Sequence, residues 1–448
     1  MATATRTVED VLRTRGFAPF HRRIVLLTGF AWTFVAFEII NIPFVLPSAF
    51  GTFGVASGTL ISFLITSATL IGSFLGSLFL GRLADLRGRR TIFLASILWY
   101  SVFTGLTAAS WDPWSMFSLR LLAGLGIGGM LVVDPAILSE FLPPQARGRF
   151  MVLLDFFWPI GFLVAILFWW VFIVQGVTFL GLASWRALFI VASFPALAAF
   201  VGRLAIPESP LYYARRGRLR DAANVLVRVT GTSVDESSLT QEKPVPRAPV
   251  SALFSGHLAR RSAVTLAVWI ALNFSYYGLF LDLPFALAGY QAIQGDVGLV
   301  ALFFVASALA QFPGYLASML LVDRWGRKRT LALFLILGGV SGFAFATATT
   351  VPVLFSSLAF VSFFNLGAWG AVYPYTSELF PTQYRALGFG LGETVGKLVA
   401  ISGPLIFFYL YVGTNSLVAP LIAIAVVMAL GGLFLAGVGP ETKGEVFA

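Results

Sequence analysis

Residues 81–90 read GRLADLRGRR, four arginines in ten positions of a 448-residue chain that is 58% hydrophobic and only 11% charged. An average soluble domain carries roughly 25% charged residues, so the composition excludes an ordinary soluble enzyme. The stretch has a second copy. DRWGRK at 323–328 repeats its Asp-x-x-Gly-Arg core, and SEFLPPQARG from Ser139 is echoed by SELFPTQYRALG from Ser377. The interval is 238 residues each time (85 to 323, 140 to 378, 147 to 385). A weaker echo joins PESP at Pro207 to PETK at Pro440. Equal spacing over such a distance marks an internally repeated chain.

Apolar runs of about 17–25 residues, each long enough to cross a bilayer, recur throughout. They predict spans near 24–46, 59–80, 91–111, 114–138, 151–175, 185–206, 263–283, 296–321, 331–350, 352–376, 387–411 and 417–438. The fold class is therefore all-α: a polytopic membrane protein of twelve transmembrane helices in two six-helix pseudo-symmetric bundles. The divisions are 1–206 for the first bundle, 207–262 for a partly helical cytoplasmic loop and 263–448 for the second bundle. Two parallel repeats about an axis normal to the membrane suit a central site that opens alternately to each side.

Charge placement sets the orientation. Arginines at 22–23, 82–90, 147–149, 203–261, 324–329 and 385 fall on alternate loops, whereas 47–58, 176–184, 284–295 and 412–416 carry no Lys or Arg. The positive-inside rule puts both termini and the central loop in the cytoplasm. The net charge of +10 then reports topology and contact with anionic lipid, not nucleic acid. The polar, basic first twenty-three residues lack a signal-peptide core, so the first span is read as an uncleaved insertion signal. With no cysteine, thiolate chemistry and cysteine-ligated metals are excluded. His21 and His257 flank spans, and no metal or cofactor site is expected. Small-residue runs such as GSFLGSLFLG and GLGIGG read as close helix packing.

The two Asp-x-x-Gly-Arg loops, the two Glu-x(6)-Arg motifs, PESP and PETK together resemble the major facilitator superfamily. The similarity is to the branch that holds sugar porters and organic-ion, nicotinate and synaptic-vesicle-type transporters, and it covers nearly the whole chain. On that resemblance Asp85, Arg89, Glu140 and Arg147, with second copies Asp323, Arg327, Glu378 and Arg385, form a cytoplasmic gate. Ion pairs there break and re-form as one half rocks on the other.

Ionisable groups within spans cost at least about 2.5–3.5 kcal/mol each and so need a reason. Glu38 stands where the family's first span usually reads Gly-Tyr-Asp, and Arg120 where proton-coupled sugar porters also have arginine. The resemblance implies that they face one another and couple a proton; a static internal ion pair is the alternative. Asp155 and Glu393 obey the 238-residue interval (155 to 393). Sugar porters carry a glutamine at the first of these places, and span seven lacks their Gln-Gln-x-Ser-Gly signature. Lys397 shares a helix face with Glu393 at i and i+4, either as a local salt bridge or as a substrate cation. Organic-anion and nicotinate carriers have arginine there and organic-cation carriers aspartate, so the resemblance favours a small organic anion. Tyr277, Trp369 and Tyr373 are candidate aromatic walls. Asp134 is read as hydrated near the cytoplasmic end of span four, and Asp282 as lying near the outer end of span seven.

A secondary carrier accounts for the repeat, the gate loops and the midplane charges together. A channel needs no paired gate motifs, and the commonest constellations of a membrane enzyme are missing. The chain is accordingly read as a monomeric, plasma-membrane, proton-coupled carrier of a small carboxylate. A sugar carrier, an organic-cation carrier and a transporter-like sensor remain the alternatives.

Overall fold

The computed structural model describes residues 6–204, 206–242 and 249–443, and these are almost entirely helical. A short amphipathic α1 (Val8–Arg15), closed by a Thr7–Asp10 capping box, precedes the first span. The first half is then built from α2 (Pro19–Phe53), α3 (Leu60–Arg87), α4 (Arg89–Thr107), α5 (Pro113–Phe141), α6 (Pro144–Asp155), α7 (Trp158–Phe168) and α8 (Ser184–Leu204). Two surface helices follow, α9 (Pro210–Arg215) and α10 (Leu219–Thr230), within the expected loop. Residues 243–248 of that loop lie outside the described residues. The second half comprises α11 (Gly256–Phe280), the short α12 (Leu283–Ala288), α13 (Val297–Trp325), α14 (Arg327–Ala346), α15 (Val351–Leu379), α16 (Thr382–Thr414) and α17 (Val418–Val438).

Among the described residues, eleven helical stretches are long and apolar enough to cross a membrane. The twelfth expected span is α4, whose hydropathy is lowered by Arg89 and Arg90 at its start and by polar residues along its length. Leu78, Phe79, Trp99, Phe343 and Leu433 are exposed on the outside of the bundle. An apolar surface of this extent suits lipid rather than water.

The main packings of the first half recur in the second. The pairs α3·α5, α4·α5, α4·α8, α2·α7 and α2·α8 are matched by α13·α15, α14·α15, α14·α17, α11·α16 and α11·α17. The joints between the halves are also paired, α3 against α16 and α7 against α13. Glycine makes the tightest of these seams possible. A Cβ at Gly72 would overlap Leu121 O on α5, and one at Gly128 would overlap Ser73 O on α3. Backbones in such contact need small residues.

Span five departs from the continuous helix expected over 151–175. It breaks at Phe156–Phe157 between α6 and α7, then ends in a π-helical turn over Trp169–Val174. Pro159 supplies the reason, because it has no N–H to donate to the Asp155 carbonyl four residues earlier. The counterpart of Pro159 in the second half is Lys397, and there α16 runs unbroken for 33 residues.

Candidate functional site

Two of the four opening arginines, Arg89 and Arg90, begin α4, and that position governs their partners. Gly88 ends α3 with φ of +105° and Gly326 ends α13 with φ of +103°, backbone that only glycine enters easily. A Cβ on either would strike a glutamate carboxylate, Glu208 or Glu441. Those carboxylates cap the helices that follow. Glu208 accepts from the N–H groups of Arg89 (3.1 Å) and Arg90 (3.0 Å). Glu441 accepts from those of Arg327 (2.8 Å) and Lys328 (3.3 Å). Both satisfy orphan donors at a positive helix end. The glutamates of PESP and PETK are thus structural partners of the arginine loops, a role that sequence reading missed although their repetition signalled it. Partial burial pushes the Glu441 carboxyl up, but the N–H groups of Lys443, Lys328, Thr442 and Arg327 outweigh this and hold it below the ordinary range.

The expected gate residues meet in part. Arg89 reaches Glu140 at 2.7 Å and Asp85 at 3.5 Å. Arg327 repeats this with Glu378 at 2.9 Å and Asp323 at 3.5 Å. These pairs lie inside each half and do not bridge the halves. Arg147 does not join Glu140; it pairs with Glu9 of α1 at 3.0 Å. Arg385 is exposed, with no ion pair among the described residues. Asp134 also departs from expectation. It is fully buried and sits 3.4 Å from Arg203, which is itself 2% exposed rather than part of a solvated loop. The Arg203 guanidinium stacks on Phe93 at 4.1 Å, which covers its face with an aromatic ring.

Glu38 and Arg120 do face one another. Arg120 Nη1 lies 3.0 Å from Glu38 Oε2, and Nη2 donates to the Glu38 carbonyl at 3.1 Å. Thr104 on α4 donates to the same carboxylate at 2.9 Å, and Arg120 Nε donates to Thr69 at 3.3 Å. Both ionic side chains are inaccessible to solvent. Four helices therefore hold one ion pair within the first half.

A second charged group occupies the seam between the halves. Asp155 is buried at the end of α6, close enough to Glu393 on α16 for their charges to interact. Lys397 Nζ is 3.3 Å from Glu393 Oε1, yet no aligned hydrogen bond reaches it among the described residues. Tyr277 and Tyr373 lie within electrostatic reach of both carboxylates. Tyr315 on α13, which sequence reading passed over, does so toward Asp155. Trp369 and Tyr373 stack edge-on against Trp269 with centroids 5.9 Å away. Trp158 donates to the Tyr276 hydroxyl across the seam at 2.5 Å. Two carboxylates and one ammonium thus gather beside aromatic side chains at the seam.

Ring contacts close the seam from this level toward the arginine-poor end. They run from Phe156–Phe312 and Phe162–Phe280 to Phe44–Phe304 and Phe63–Phe285. Ser67 adds a hydrogen bond to the Ile401 carbonyl at 3.0 Å. The arginine-rich end carries the two separate gate networks.

The profile of the sugar (and other) transporter family matches residues 23–448. This chain belongs to that family. The transporter is 33% identical to the niacin transporter NiaP of Acinetobacter baylyi over 434 residues, 95% of each chain. It is 29% identical to the synaptic vesicle 2-related protein of Pongo abelii, across 90% of this chain and 75% of the other. The fold is that of the xylose transporter XylE from E. coli in a partially occluded inward-open conformation. The TM-score is 0.75, with 18% identity over 96% of this chain and all of the other. The protein is thus a multi-pass membrane transporter of the major facilitator superfamily and not an enzyme.

Proposed function

We propose that the transporter moves a small organic anion, such as nicotinate or a related aromatic carboxylate, by alternating access coupled to a proton. Lys397 carries this reading. It is an ammonium, 12% exposed, in the seam between the halves, with Glu393 beside it and no aligned hydrogen bond among the described residues. A carboxylate entering there loses hydration and needs a fixed cation. Tyr277, Trp369 and Tyr373 would flank an aromatic ring. The 33% identity to a niacin transporter supports the same substrate class.

Glu38 is the proton carrier in this scheme. It remains charged while Arg120 touches it and takes a proton when the pair separates. The arginine pairs Arg89–Glu140 and Arg327–Glu378 brace the cytoplasmic ends of the halves, with both termini in the cytoplasm and the protein acting as a plasma-membrane monomer. In this orientation the aromatic seam shuts the outer side and the state described is inward-facing.

A second reading has its own observation. Pro159 stands where Lys397 stands in the other half, so Asp155 has no cation one turn away, and the site's carboxylates outnumber its ammonium. An organic cation would balance them. Uptake of radiolabelled nicotinate by proteoliposomes under an inward proton gradient, with thermal-shift screening of carboxylates, organic cations and sugars, decides the matter. Accumulation of nicotinate supports the anion carrier; stabilisation by cations alone, without nicotinate uptake, removes it.

A further inference from the structure

Among the described residues the first half contains two ion pairs with both partners fully buried, and only Glu38–Arg120 has so far been given a task. Asp134–Arg203 lies nearer the arginine-rich end of the same bundle. Between the pairs runs one face of α4. Ser96, Tyr100 and Thr104 recur at every fourth residue and so share that face. Thr104 bonds Glu38. Tyr100 is fully buried and interacts electrostatically with both Glu38 and Asp134. A Cβ on Gly126 of α5 would meet the backbone of Ser96 and Tyr100, and one on Gly129 the Ser96 hydroxyl. Arg120 and Asp134 flank those glycines on α5, so α4 is drawn against α5 between the two pairs.

Along this face buried polar atoms have no hydrogen-bond partner among the described residues: Glu38 Oε1, Tyr100 OH, Ser96 Oγ, Asp134 Oδ2 and Arg203 Nη1. Buried polar atoms are nearly always hydrogen-bonded, so a file of exceptions needs a reason. The repeat shows that packing is not that reason. At the 238-residue interval, Leu358 replaces Arg120 and Val372 replaces Asp134. Phe334, Gly338 and Gly342 replace Ser96, Tyr100 and Thr104. The second half assembles the equivalent helices, α14 on α15 and α17, with those apolar and small residues.

We infer that the α4 face is a proton path inside the first bundle, leading from Glu38 through the Tyr100 hydroxyl and bridging water to Asp134, apart from the substrate seam. This rests on the proton-coupled reading above. The transfer is balanced. Protonated Glu38 gives its proton to the Tyr100 oxygen while Tyr100 passes its own hydroxyl proton toward Asp134 Oδ2. Asp134 becomes neutral and Glu38 returns to its carboxylate beside Arg120. The groups facing the path are Glu38 on α2, Thr69 on α3, Arg120 and Asp134 on α5, and Arg203 on α8.

The test compares gradient-driven uptake with counterflow exchange of radiolabelled nicotinate in proteoliposomes, together with nicotinate-induced acidification of an internal dye. Tyr100→Phe removes one hydroxyl, and Asp134→Val with Arg203→Met removes the second pair without leaving a lone charge. In both, the ratio of gradient-driven uptake to counterflow should fall at least tenfold, with a matching loss of acidification rate. If both retain the parental ratio while Glu38→Gln loses it, the path is wrong and the coupling reading stands. If Glu38→Gln also retains it, or the parent moves no protons with nicotinate, the coupling reading fails and this inference with it. Should the double variant not fold, Tyr100→Phe decides alone.

Discussion

Replacing Lys397 with alanine tests the substrate site most directly. At the 3.3 Å that separates Lys397 from Glu393, a charge pair attracts by about 5 kcal/mol at an effective dielectric near 20. A substrate carboxylate taking a similar position gains comparably, but pays for its own dehydration and for displacing Glu393, which is itself one-third exposed and screened. About 2 kcal/mol should survive, the lower end of the loss seen when one partner of a buried charge pair is removed. That corresponds to a roughly 30-fold rise in Kd. Titration calorimetry with nicotinate on purified protein reads it. Lys397→Arg should recover part of the loss, limited by the different shape of the guanidinium. Because Glu393 competes for the ammonium, Glu393→Gln should tighten nicotinate binding several-fold. The double variant Glu393→Gln with Lys397→Gln is the decisive control. Nicotinate affinity in it within about threefold of the parent would refute the reasoning.

Glu140→Gln should lower the thermal midpoint in detergent more than Glu378→Gln, since Glu140 is 8% exposed and its counterpart 34%; equal shifts by scanning fluorimetry would contradict this. Gly128→Val should abolish monodisperse protein in size-exclusion chromatography, because the new side chain meets the Ser73 backbone. The Glu441 carboxyl is depressed in the fold, so its stabilisation is complete above the ordinary carboxylate value of about 4.3 and fades as pH falls through the folded value. The gap in melting temperature between the parent and Glu441→Gln should therefore be larger at pH 7 than at pH 4. Cysteines placed at exposed Leu86 and Trp325 should react with impermeant maleimide only from the cytoplasmic face, and labelling from outside would reverse the topology.

Much of this molecule could be read before folding because a bilayer permits few architectures: apolar length gives the helices, and the repeat gives their pairing. Glu38 and Arg120 were found because a charge in an apolar run stands out. Arg203 was misplaced for the converse reason. It follows an apolar run and looked like loop, and only packing revealed Asp134 beside it. Arg147 was joined to its own motif because sequence spacing cannot announce Glu9, 138 residues earlier, as its partner. Tyr100 and Tyr315 carried no signal at all, being single aromatics in a chain that is 15% aromatic. The break after Asp155 is legible in Pro159, whose missing N–H hydropathy does not register.

That break gives the two halves different builds. The long helix α16 runs about 50 Å at 1.5 Å per residue, passing through Pro404 without a break. Its counterpart is jointed, and the joint divides its contacts: α6 meets α1, α5 and α15, whereas α7 meets α13 across the seam. Asp155 sits at the elbow. Built on one pattern, the two halves place their paired carboxylates differently: Asp155 stands at a joint, and Glu393 stands within a continuous helix beside Lys397.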